Sequence, residues 1–102
     1  MFTLEITGSA ESDLDQITDY MVSTLANPQA ALSFIDEVDR VADTLATTPE
    51  LFPLCSDTRL SELGYRKAIV RAYILVYEIN MEEQVVRVLR FFHSSENYAN
   101  KL

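Results

Sequence analysis

The chain changes its repeat at Gly64, and that change constrains its fold more than any other feature. Before it, apolar residues recur every three or four positions; after it they cluster in β-branched and aromatic runs. Ala10, Leu14, Ile17, Met21 and Leu25 make one apolar stripe, which predicts a helix over roughly 10–25. Asn27-Pro28 restarts the chain, because Asn suits an N-cap and Pro the first helical position. Ala31, Phe34, Ile35, Val38, Val41, Ala42 and Leu45 then form the apolar face of a second helix over 28–46. So short a link predicts a helical hairpin. Past Gly64, the stretches 65–71, 73–79 and 84–92 read as strands, with Asn80–Glu83 as a hairpin turn. At the start, Phe2, Leu4 and Ile6 alternate with polar residues, a strand over 2–7, and Ser9 is placed to cap the first helix. The 47–64 connector reads as ordered, since Leu51, Phe52, Leu54, Leu60 and Leu63 are too apolar for a free linker. The polar tail, 94–102, is expected to be a short helix or a loose arm.

The order is β-α-α-β-β-β: an α+β domain of two layers, with an N-terminal strand, a helical hairpin and an antiparallel three-stranded meander. At 102 residues, 1–102 is expected to be a single domain. One cysteine, Cys55, offers no internal disulfide. No apolar run approaches the roughly 20 residues of a membrane span, and the N-terminus lacks a basic, then apolar, leader. A cytoplasmic location with no membrane contact is expected. No phosphate-binding glycine loop, zinc spacing or nucleophile elbow is present, so neither cofactor nor metal is expected. Asp13, Asp15 and Asp19 lack the pattern of a calcium loop and read as a solvated helix face.

Charge is distributed unevenly. Residues 1–56 hold ten acidic groups and one basic group, Arg40; residues 57–102 hold six acidic and seven basic groups. The halves carry −9 and +1, which makes the net −8. Any anion-binding surface is therefore expected in the second half. Arg66, Lys67, Arg71, Arg87 and Arg90 all fall on or beside predicted strands. Alternation puts Lys67 and Arg71 on one face and Arg66 on the other. Arg87 and Arg90 have opposite parity, so sharing a face requires a bulge. The alternatives are a surface for an acidic partner and solvated strand charges that discourage edge pairing. His93, the single histidine, is a candidate acid or base or a strand terminus held by a hydrogen bond. Tyr98, on the polar tail, is a candidate for base stacking or proton transfer.

In order along the chain, "AESDLDQITDYM" with "ANPQAALSFIDEV", then "LGYRKAIVRAYILVYEIN", then "VVRVLRFFHSSENY", resemble the toxins of RelE/ParE type. The resemblance spans essentially the whole chain and implies the toxin component of a type II toxin–antitoxin system, the plasmid stabilisation family. It implies a cognate antitoxin as partner, in a hetero-oligomer or beside a toxin homodimer. It also implies a target: DNA gyrase for a ParE-like growth inhibitor, or the ribosome and its mRNA for a RelE-like, metal-independent endoribonuclease. A third alternative is a non-toxic partner-binding domain of the same fold. A nuclease would use His93, Tyr98 and Arg90 in catalysis, and an antitoxin would supply carboxylates to Arg66, Lys67, Arg71 and Arg87. Two departures weigh against the nuclease. Ile74 stands where RelE-like strands reading "Y-R-L-V-Y" carry arginine, and His93-Ser94-Ser95-Glu96 replaces the basic "H-G-R-R" run. Attack by a 2′-hydroxyl needs cations on the phosphate as well as a base and an acid.

Overall fold

The computed structural model describes residues 1–102. The elements are β1 (Thr3–Ile6), α1 (Gly8–Asp19), a π-helical turn (Tyr20–Thr24), α2 (Pro28–Thr47), α3 (Thr58–Glu62), β2 (Arg66–Val70), β3 (Tyr73–Asn80), β4 (Val85–His93) and a 3₁₀ turn (Tyr98–Lys101). The four strands form one sheet in the order β1-β4-β3-β2. β4 pairs with β3 antiparallel and with β1 parallel, and β3 pairs with β2 antiparallel. The meander and the joining N-terminal strand are those the periodicity predicts. No helix is long and apolar enough to cross a membrane.

The helix starts show local chemistry at work. Asn27 caps α2, its side chain accepting from the Ala30 amide, and Pro28 opens the helix. The first helix is capped by Thr7, not by the expected Ser9. Thr7 Oγ1 accepts from Ala10 N at 3.1 Å and donates to the carbonyl of Leu89 on β4 at 2.8 Å. One hydroxyl thus starts α1 and fastens it to the sheet, which Ser9, already inside the helix, cannot do. Within the connector Asp57 caps the short α3 and Leu60 is buried.

The main core lies between the helical hairpin and one face of the sheet. Ala10, Phe34, Val38, Val41 and Leu45 meet Ala68, Val70, Leu75, Tyr77, Val86, Val88 and Phe91. The opposite face is not bare. Ile74, Val76 and Phe92 pack with Cys55 and Leu60, and Tyr65, Leu89, Tyr98 and Leu102 lean on them. The connector and tail therefore cover part of the side that a strict two-layer pattern leaves open. Their apolar residues supply the reason.

Tyr77 ties the connector to the sheet. It is fully buried in the centre of β3, and its hydroxyl donates to the carbonyl of Pro49 at 2.6 Å. Burial pushes this phenol up to about 12. The folded state thus holds the proton more tightly than the unfolded chain, whose phenols ionise near pH ~10. The stabilisation is complete below that unfolded value and disappears as pH rises through the folded one.

Two outcomes are expected. Phe34→Ala and Leu75→Ala remove side chains only 1% exposed, and each should lower unfolding free energy in denaturant titration by about 2–5 kcal/mol. Stability should also fall between about pH 10 and 12 by on the order of 2–3 kcal/mol more in the native chain than in Tyr77→Phe; parallel pH profiles for the two proteins would refute this.

Candidate functional site

β4 is longer than its parallel neighbour, and this builds the site. β1 stops at Ile6, paired with Val88, while β4 continues to His93. Backbone groups beyond Val88 on that edge need other partners. Thr7 supplies the first, through the bond to the Leu89 carbonyl. Asp13 of α1 supplies the second: its carboxylate accepts from Phe91 N at 3.0 Å. Glu96 of the tail supplies the third, accepting from His93 N at 2.9 Å.

Asp13 also holds Arg90 through two bonds, Nε to Oδ2 at 2.6 Å and Nη2 to Oδ1 at 3.1 Å. Such bidentate, charge-assisted pairs are the strong ones. The carboxylate raises the already high pKa of Arg90. Asp13 is therefore not the solvated residue its acidic neighbours suggest; its side chain is 13% exposed. The signal lies in helical spacing, since Asp13 falls three residues after buried Ala10 and four before Ile17, on the apolar face. Asp15 and Asp19 remain exposed.

Arg90 reaches this edge because of a bulge. Val76 faces Arg90 while Tyr77 faces Val88, so Leu89 is the extra residue. Parity shifts there, and Arg90 joins Arg87 on the face away from the hairpin, with its guanidinium 4.9 Å from the Phe92 ring centroid. Arg87 sits between its two cross-strand neighbours, Glu5 and Glu78, bonded to both.

Between α1 and the end of β4 lies a cleft of about 350 Å³, walled by Asp13, Gln16, Tyr20, Tyr73, Arg90, His93, Glu96 and Lys101. His93 meets Tyr73 edge to face at 5.2 Å, and Tyr73 meets Phe34 of α2 in the same way. The amide of Ser95 donates to His93 Nδ1 at 3.1 Å, so a neutral ring carries its proton on Nε2. Hydrogen bonds from Lys101 and from the His93 amide hold Glu96 below the usual carboxylate range.

Tyr98 lies elsewhere. Its ring stacks on Phe92 at 5.8 Å in the second core, beside Cys55, where burial raises its pKa. Adjacent strand residues point to opposite faces, so Phe92 carries Tyr98 on one side while His93 meets Tyr73 on the other. The sheet brings His93 and Arg90 to one cleft and keeps Tyr98 away from His93.

The remaining basic residues are mostly engaged within the chain. Arg66 donates to the carbonyls of Phe52 and Glu50, and Arg59 to those of Ala99 and Leu102. Arg71 occupies the β2–β3 turn with φ 60°, not the strand face, and donates to Ser33 near Glu37. Arg40 pairs with Glu37, and Lys101 with Glu96. Of the eight basic side chains, Lys67 is the one without such a bond.

A family described as the ParE toxin of the type II toxin–antitoxin system parDE matches residues 4–98, nearly the whole chain. The chain belongs to the ParE toxin family. Solved structures of similar fold come from toxin–antitoxin systems of both kinds. A chain of the chromosomal ParDE system of P. aeruginosa aligns over 91% of this chain and 96% of its own, with TM-score 0.72 and 20% identity. A chain of the RelBE2 complex from Mycobacterium tuberculosis aligns over 90% and 96%, with TM-score 0.62 and 22% identity. A chain of the intact E. coli RelBE complex aligns over 94% and 100%, with TM-score 0.63 and 16% identity. No curated protein sequence matches the chain. For this ParE-family chain, the shared fold is the common ground with these structures.

If Asp13 and Arg90 act as one unit, each single replacement by alanine should destabilise the fold, and the double replacement should be less harmful than the sum. A coupling of about 0.5–3 kcal/mol is expected in a double-mutant cycle read by chemical denaturation; additive losses would show that the pair contributes nothing jointly.

Proposed function

We propose that this ParE-family toxin arrests growth by binding a protein target, of which DNA gyrase is the leading candidate, and that a cognate antitoxin restrains it. The observation that carries the reading is the internal engagement of its cations. A phosphoryl-transfer site needs positive groups free to meet the developing charge on the phosphate. Here Arg90, the cation beside His93, is held by Asp13 at 2.6 Å. Lys101, also in the cleft, is held by Glu96. Ile74 stands at the RelE-like arginine position, and its side chain is buried. Tyr98, the other candidate for proton transfer, lies across the sheet from His93. A net charge of −8 further disfavours docking on RNA.

The rival reading, a ribosome-dependent endoribonuclease using His93 and Arg90, rests on their sharing one cleft. Induced expression should arrest bacterial growth, and co-expression of the neighbouring reading frame should relieve it. Purified protein should inhibit gyrase supercoiling and leave ribosome-bound messages intact. Message cleavage abolished by His93→Ala would overturn the proposal in favour of the nuclease, and healthy cells at high expression would leave a partner-binding domain.

A further inference from the structure

The cleft beside His93 presents hydrogen-bonding groups that nothing in the chain satisfies. The hydroxyls of Tyr20 and Tyr73 and Nε2 of His93 find no partner within the chain, while Nδ1 of His93 is taken up by Ser95. With Nδ1 accepting from the Ser95 amide, Nε2 is the donor. Tyr73 is only partly exposed, and burial pushes its phenol up, with Tyr20 and then Glu96 adding to the rise. Its O–H therefore remains a donor in neutral solution. A polar group half withdrawn from water and left unpaired costs free energy, which a ligand with a matching acceptor would recover.

The charges of the cleft, by contrast, are closed among themselves. Asp13 holds Arg90 through two bonds, and Glu96 holds Lys101. A charged ligand would have to break one of these pairs or face an uncompensated carboxylate. The rest of the wall is aromatic or uncharged. Gln16 stands one turn before Tyr20 on the same helix face, and its amide reaches only Ser12, at 3.4 Å. Tyr20 opens the π-helical turn that follows α1, a geometry frequent at functional sites. At about 350 Å³ the cleft lies at the small end of the roughly 300–1,000 Å³ typical of small-molecule sites, enough for one ring.

We propose that this cleft is a socket for one uncharged aromatic side chain of the protein target, a tyrosine. Its ring lies beside Tyr20 and Tyr73, and its hydroxyl oxygen accepts from their phenols or from Nε2 of His93. That the ring comes from a protein rests on the protein-target reading above; that it is uncharged and carries an acceptor rests on the cleft. A nucleobase offers a similar plane and acceptors, but it brings phosphates, and the cations here are already held by carboxylates. Aromatic anchors seated in fitted pockets are where protein interfaces concentrate binding energy.

Three probes, N-acetyl-tyrosinamide, its O-phosphate and uridine monophosphate, can be titrated into the full chain and followed by amide NMR spectra. N-acetyl-tyrosinamide should bind with a dissociation constant on the order of 1 mM, with shifts centred on Gln16, Tyr20, Tyr73 and His93. The two phosphates should bind at least about tenfold more weakly. Tyr20→Phe should weaken the tyrosine probe by about two- to tenfold, as loss of one hydrogen bond does, and Tyr20→Ala should weaken it further. Leu51→Ala, at an exposed position outside the cleft, should leave binding unchanged, and circular dichroism should report folded protein throughout. No binding, binding unaffected by both Tyr20 variants, or preference for either phosphate would overturn the proposal, the last in favour of an anionic ligand. Folded Tyr20→Ala that inhibits gyrase as well as the native chain would overturn it too. A chain that inhibits gyrase yet binds no tyrosine probe keeps the protein-target reading and loses the socket. A chain that binds the probe as expected yet leaves gyrase active keeps the cleft's ligand chemistry and loses the gyrase reading.

Discussion

The unequal lengths of β1 and β4 govern this molecule. A strand that outruns its neighbour exposes donors and acceptors that a partly buried edge cannot leave unpaired. Three side chains complete the ladder where backbone ends: the Thr7 hydroxyl, the Asp13 carboxylate and the Glu96 carboxylate. Each belongs to a different segment, so the same bonds that finish the sheet also seat α1 and the tail on it. The cleft beside His93 is the space between those two supports.

That solution has a chemical consequence. The carboxylate that satisfies Phe91 N also clamps Arg90, and the one that satisfies His93 N also engages Lys101. Cations that could have met a phosphate are instead part of the scaffold. The binding role proposed above does not draw on these cations, because binding can use shape and exposed side chains elsewhere on the molecule. The internal cation partners and the unpaired aspartates of α2 are two aspects of one charge distribution. Carboxylates hold Arg87, Arg90 and Lys101 around the sheet, while Asp36, Asp39 and Asp43 on the outer helix face are left without counterions.

Much of the fold was legible along the chain because periodicity reports which face of an element is buried. The helices, the three-stranded meander and the joining N-terminal strand follow from it, as does the core placement of Phe34 and Leu75. Legibility was poorer where one residue serves two elements. Thr7 looked like the end of a strand and proved to be a helix cap as well. Asp13 looked like one of several surface acids, although its spacing from Ala10 and Ile17 marked the buried face. Tyr98 looked stranded on a polar tail, yet the tail folds back and stacks it on Phe92.

Local sequence determined the element types, the hairpin signals and the excess of acid in the first half, since each depends on residues close along the chain. Tertiary structure alone decided that β1 runs parallel to β4, that Leu89 is the bulged residue and that Arg90 meets Asp13, 77 positions away. Those outcomes depend on which edge is left open when the layers close. An open edge is a property of strands brought together, and no stretch of the sequence carries it by itself.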